Sequence, residues 1–222
     1  MPIQHLPCAE TRRRLLALAA AAALTPDVAP AAAPVLAPVV TILGDSITAG
    51  YGLPAAQALP AQLQRALARL GQPVRVIGSG VSGDTTADGL ARLGFSIRPG
   101  TRLCIVALGG NDLLEGLDPR VTRRNLQAIV MRLKARHIPV MLAGVTAPAV
   151  IGPSYARDFD AAFVEVARAA RVPFYPNLLA GVYGHPTLIQ ADGIHPNAAG
   201  AALIAARLAP LVARVLQMEG AR

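Results

Sequence analysis

The strongest constraint on this chain is an alternation, over residues 38–217, of short apolar runs with longer stretches in which apolar residues return every third or fourth position. The short runs are VVTIL (Val39 to Leu43), VRVI (Val74 to Ile77), LCIVAL (Leu103 to Leu108) and VMLAGV (Val140 to Val145). A strand with one wet face alternates apolar and polar residues, whereas a near-continuous apolar run reads as a parallel strand covered on both sides. Between the runs lie Leu59, Leu63, Leu67 and Leu70; Leu126, Ile129, Val130 and Leu133; Phe159, Phe163 and Val166; and Ile204, Leu208, Leu211, Val212 and Val215, all at helical spacing. Strand and helix alternate four or five times, which predicts a three-layer α/β domain with helices on both faces of a parallel sheet. Ligands in such sheets sit at the carboxyl ends of the strands, so chemistry is sought in the loops that follow them.

Residues 1–34 stand apart from this pattern. TRRRLLALAAAAAL (Thr11 to Leu24) sets three arginines ahead of ten apolar residues, and Ala29-Pro30-Ala31 follows with small residues. This is the pattern of a signal peptide and linker, leaving residues 35–222 as one folded domain, a size that suits a single hydrophobic core. An Ala-rich amphipathic or disordered tail is the alternative for the same residues. The apolar run is about half the ~20 residues a spanning helix needs, so no stable membrane span is expected. The paired arginines resemble a twin-arginine signal, and the expected location is periplasmic or secreted. Of the two cysteines, Cys8 falls in the leader and Cys104 in an apolar run, so Cys104 reads as a core residue.

The formal charge of +8 permits attraction to anionic surfaces. The arginines are scattered along the sequence, tryptophan is absent, and only four Tyr and four Phe occur. A solvated arginine-rich surface is therefore expected, with no nucleic-acid partner.

The loops after the strands hold the reactive residues. ILGDSITAGYGL puts Ser46 just past the first strand, where a helix begins; a serine there meets fixed backbone N–H groups, though Ser is also a preferred helix cap. QADGIHPNAAG holds Asp192 and His195 in one tight turn before the last helix. The carboxylate can fix the tautomer of the imidazole and leave Nε2 free to take a serine proton; a D-x-x-H turn can also cap a helix or bind a metal. His5, His137 and His185 lack ligand spacing, so no metal is expected. GSGVSGDTTADGL and ALGGNDLL offer two donors for a developing oxyanion, the backbone N–H of Gly83 and the side-chain amide of Asn111, the latter also a common turn residue. Asp45, Asp84 and Asp112 flank these positions and read as loop-fixing groups. Gly78, Gly80 and Gly83 spell the dinucleotide fingerprint, but on the second strand and without the acidic residue that the motif wants about 20 positions on.

Four blocks, GDSITAG, SGDTTADGL, LGGND and DGIHP, stand in the order and roughly the spacing of the SGNH (GDSL) hydrolases, and the chain resembles that family, above all its bacterial periplasmic thioesterase/lysophospholipase and arylesterase branch. The resemblance implies a flavodoxin-like fold of about five parallel strands. It makes Ser46 the nucleophile and first oxyanion donor, Gly83 and Asn111 the other donors, Asp192 the orienting acid and His195 the base. It implies a serine hydrolase that cleaves acyl esters or thioesters through an acyl-enzyme, without a cofactor, on small-molecule substrates and as a monomer. Leu113 and Leu114 after the third strand, with Val150 and Ile151 after the fourth, are the candidate substrate-binding residues, because an apolar lining suits an acyl chain. A carbohydrate O-acetyl esterase or acetyltransferase with the same triad, and a non-catalytic binding module, are the alternatives.

Overall fold

The computed structural model describes residues 37–220, and the expected leader over residues 1–34 lies outside them. In chain order the elements are β1 (Val39–Gly44), α1 (Ser46–Ala49), α2 (Leu59–Arg69), β2 (Arg75–Gly80), α3 (Thr86–Ala91), α4 (Leu93–Ser96), β3 (Thr101–Ala107), α5 (Gly110–Leu114), α6 (Pro119–Ala135), β4 (Val140–Ala143), α7 (Pro153–Ala170), β5 (Phe174–Tyr175) and α8 (Ala198–Gly220). The five strands form one sheet in the order β2-β1-β3-β4-β5, every pairing parallel. Gly44 at the end of β1 is level with Gly80 of β2 and Ala107 of β3, so three loops leave the sheet side by side.

The strands are apolar on both faces because both faces are covered. Along β3, Leu103, Ile105 and Ala107 join a core with Leu63 and Leu67 of α2 and Ile204, Leu208 and Val212 of α8. Cys104 and Val106 point the other way, onto Leu126 and Ile129 of α6 and Phe159 and Phe163 of α7. Full burial pushes the Cys104 thiol up to about 12, so it is an inert packing group. α8 is long and apolar enough to cross a bilayer by composition, yet 56% of its apolar window is buried inside the protein, as befits a core helix.

One expectation needs correction. β2 is not buried on both faces: it is the edge strand, partly exposed throughout, and runs past the apolar VRVI into Gly78-Ser79-Gly80. The fifth strand has two residues, too few for any periodic signal.

Two of the three glycines that imitate a dinucleotide fingerprint, Gly78 and Gly80, have a packing role. A Cβ on Gly78 would meet Pro60 Cγ at 2.7 Å, and one on Gly80 would meet Ala49 N at 2.3 Å and Asp45 O at 2.5 Å. Their missing side chains let α1 and α2 lie close on the sheet edge. Gly80→Ala forces α1 off the sheet and is expected to cost about 1–3 kcal/mol, measured as a lowered urea midpoint.

Candidate active site

Ser46 is the first residue of α1, and the cap of that helix is Asp45, whose Oδ1 accepts the Ile47 N–H at 3.0 Å. The Ser46 side chain is therefore not spent on capping. The chain turns sharply here because Gly44 has no Cβ: one would stand 2.1 Å from Thr48 Oγ1 and 2.9 Å from the Ala107 carbonyl. Gly50 ends the four-residue helix in the left-handed region, φ 77°.

His195 arrives from the far end of the chain. Its Nε2 lies 2.8 Å from Ser46 Oγ, and its Nδ1 2.7 Å from Asp192 Oδ2. Asp192 also accepts the backbone N–H groups of Ile194 and His195 through Oδ1, each at 3.0 Å. These two backbone donors, then the imidazole, pull the Asp192 carboxyl down to about 2, so it is anionic at neutral pH. With Asp192 holding Nδ1–H, Nε2 presents a lone pair to the Ser46 hydroxyl, which donates to it.

Sequence reasoning missed the residues that hold this turn. Gln190 donates through Nε2 to the carbonyls of Tyr51 (2.8 Å) and Pro196 (3.0 Å), tying the His195 loop to the segment after α1. Gly52 makes room for it, since a Cβ there would sit 2.2 Å from Gln190 Oε1. The Tyr51 ring lies against the imidazole, centroids 4.5 Å apart. Nothing in a lone Gln or Tyr marks such contacts, which join residues 139 positions apart.

Gly83 and Asn111 border the same cleft as Ser46 and His195. Gly83 adopts φ 88°, with open space where a Cβ would stand. Asn111 donates one amide hydrogen to the Asp84 carbonyl at 2.8 Å; the amide has a second. The flanking acids anchor these loops. Asp84 pairs with Arg92, which also donates to the carbonyls of Ser79 (3.0 Å) and Gly44 (2.7 Å). Fully buried Asp112 accepts the Thr86 N–H at 2.8 Å, the Thr122 hydroxyl at 2.9 Å and the Thr86 hydroxyl.

The cleft measures about 520 Å³ and is walled by Ile47, Leu113, Leu114, Val145, Pro148, Ile151, Leu179 and Tyr183. Leu113, Leu114 and Ile151 are thus on its wall. Val150 is not: it is 91% exposed and absent from the lining, because the turn over Ala149–Ile151 directs Ile151 inward instead. Asn177, Leu179, Tyr183 and Ile194 complete the lining from the long segment before α8, a region without a periodic pattern.

Residues 42–203 match the GDSL-like lipase/acylhydrolase family. The chain belongs to that family. It is an enzyme of the acyl-hydrolase class. It is 38% identical to the esterase TesA of Pseudomonas aeruginosa over 156 residues, 70% of this chain and 78% of that protein. It is equally identical, over 157 residues, to thioesterase 1/protease 1/lysophospholipase L1 of Escherichia coli, covering 70% of this chain and 74% of that one. Among solved structures, the SGNH-hydrolase family esterase AlinE4 superposes with a TM-score of 0.68 at 41% identity, covering 80% of this chain and 96% of its own. These relatives do not favour the carbohydrate-acetyl and non-catalytic alternatives.

Burial raises the Asp45 carboxyl to about 6, against the pull of the Ile47 N–H and nearby His195. Between about pH 4 and 6 the folded protein then holds a proton on Asp45 that the unfolded chain has released, so stability falls as pH rises through this window. Asp45→Asn, which keeps the capping oxygen but cannot ionise, is expected to flatten that slope by on the order of 2–3 kcal/mol, read from Tm against pH.

Proposed function

We propose that Ser46, His195 and Asp192 carry out a two-step acyl transfer on esters or thioesters of medium or long acyl chains. The carrying observation is the unbroken hydrogen-bond chain Ser46–His195–Asp192 beside an apolar cleft. Ser46 Oγ passes its proton to His195 Nε2 and attacks the acyl carbon, the carbonyl pair moving onto oxygen. The resulting oxyanion takes hydrogen bonds from the backbone N–H groups of Ser46 and Gly83 and from the free Asn111 amide hydrogen. His195 returns the proton to the departing alcohol or thiol, leaving the acyl-enzyme. Water then attacks with His195 as base, releasing the acid and restoring Ser46. Asp192 stays ionised throughout and stabilises the imidazolium formed twice per cycle.

The acyl-chain reading is supported by the walls: Leu113, Leu114, Ile151 and Leu179 face a cavity in the size range of small-molecule sites. The esterase and thioesterase relatives support it as well. All three members of the chain come from one polypeptide, which supports action as a monomer on a small-molecule substrate. Export to the periplasm or beyond is supported by the arginine cluster and apolar run over residues 11–24.

Ser46→Ala and His195→Ala are each expected to lower kcat about 10⁶-fold. Asn111→Ala is expected to lower kcat by about 10²–10³ with little change in KM; unchanged turnover removes Asn111 from the oxyanion site. Over a p-nitrophenyl ester series, hexanoyl and longer chains are expected to be preferred to acetyl. Leu179→Asp is expected to raise KM for octanoyl ester about tenfold or more while sparing the acetyl ester, and Val150→Asp to leave both within about twofold.

A further inference from the structure

The charge of the described residues is divided between two ends of the sheet. Strands β2, β4 and β5 each follow a helix that runs back along the sheet, and α8 runs back after β5, so these helix ends and the strand beginnings share the edge opposite the cleft. Hydrogen bonds tie this edge together: Lys134 at the end of α6 donates to the Ala170 carbonyl ending α7 (2.7 Å), Arg136 reaches the Ile97 carbonyl before β3 (3.5 Å), and Arg102 in β3 reaches the Glu219 carbonyl in α8 (3.3 Å).

The basic residues collect here. α2 ends on Arg69 and β2 begins at Arg75; Arg98 and Arg102 flank the start of β3. Arg132, Lys134 and Arg136 close α6, Arg168 and Arg171 close α7, and Arg214 lies in the last two turns of α8. All ten are exposed. They are ten of the seventeen Lys and Arg within residues 37–220, against one acid, Glu219; the remaining seven basic residues stand among ten acids. The edge is thus positive by nine charges and the rest of the described chain negative by three. Complementing the dipoles of four helix ends accounts for only about two of those charges, at roughly half a charge each.

Large apolar side chains protrude at the same edge. Adjacent helices α2 and α8 end beside exposed Leu70 (48%) and Met218 (54%). Of the exposed aromatic residues, Tyr51 and Tyr183 border the cleft, and Phe95, on α4, is the one nearest these arginines in the chain.

We propose that this edge seats the enzyme on an anionic phospholipid surface, the arginines meeting headgroup phosphates and Leu70 and Met218 entering the headgroup boundary, while the cleft faces water on the opposite side. Spread-out guanidinium groups over an end face, with apolar tips among them, match the chemistry of a charged bilayer surface. The seat holds the enzyme at the membrane without using its catalytic loops.

The test is co-sedimentation of the full chain with vesicles of phosphatidylcholine alone or with about one-third phosphatidylglycerol. Arg98→Gln/Arg132→Gln/Arg168→Gln at the edge is compared with Arg120→Gln/Arg124→Gln/Arg157→Gln on the cleft side, which removes the same net charge; circular dichroism and turnover of a soluble ester check folding. Expected are preference for the phosphatidylglycerol vesicles, about 100-fold weaker partitioning of the edge variant, and a change within about threefold for the cleft-side variant. Equal weakening of both variants, or equal binding to phosphatidylcholine alone, overturns the proposal. So does retention of full vesicle affinity by Leu70→Ser/Met218→Ser together with displacement by duplex DNA at equal phosphate, which reassigns the edge to a general polyanion.

Discussion

The 2.8 Å hydrogen bond between Ser46 and His195 joins residues 149 positions apart, and most of the molecule is arranged so that it can form. Ser46 is held by the turn that leaves β1, and His195 by the turn that enters α8. The two meet because β1 is an interior strand of the sheet, between β2 and β3, and α8 packs across one of its faces through Ile204, Leu208 and Val212. An error of one ångström at either turn breaks the contact, and with it the proton path the proposed acyl transfer needs. Gln190 bridging to the Tyr51 and Pro196 carbonyls is the brace that joins the two turns directly.

The remaining loops are fixed by buried charge. Asp84 and Arg92 pair at the ends of β1 and β2, and Arg92 spends its other hydrogens on backbone carbonyls that would be costly to leave unsatisfied there. Asp112 does the same from the β3 side, collecting the Thr86 backbone and two threonine hydroxyls. Asn111 sits beside Asp112 in the chain and reaches to Asp84, so the two acid-centred anchors converge on the loop that carries Gly83. Rigid loops of this kind hold donors in place before charge develops, which is what oxyanion stabilisation requires.

A parallel sheet with antiparallel helices has two unlike edges. At one, strand ends and helix starts carry the cleft, the acids and the mixed charge; at the other, helix ends gather the arginines. Those arginines are scattered along the sequence, and the reading of a uniformly solvated basic surface follows from that scatter. Topology brings them to one face, because each sits where a helix stops or a strand starts.

The sequence by itself determined the layered α/β architecture, since runs of apolar residues such as LCIVAL need cover on both faces, and helical spacing from Leu59 to Val215 supplies it. It also marked Ser46, Gly83, Asn111, Asp192 and His195 as candidates, through the resemblance of GDSITAG, SGDTTADGL, LGGND and DGIHP, in their order and spacing, to the SGNH hydrolases. Tertiary structure decided what depends on neighbours distant in the chain. It made β2 an exposed edge despite its apolar run and turned Val150 outward and Ile151 inward. It placed Tyr51, Gln190 and Leu179 at the site, and it raised the Asp45 carboxyl by surrounding it with protein. Local pattern reports which elements form; burial, long-range contact and charge convergence arise only when those elements pack.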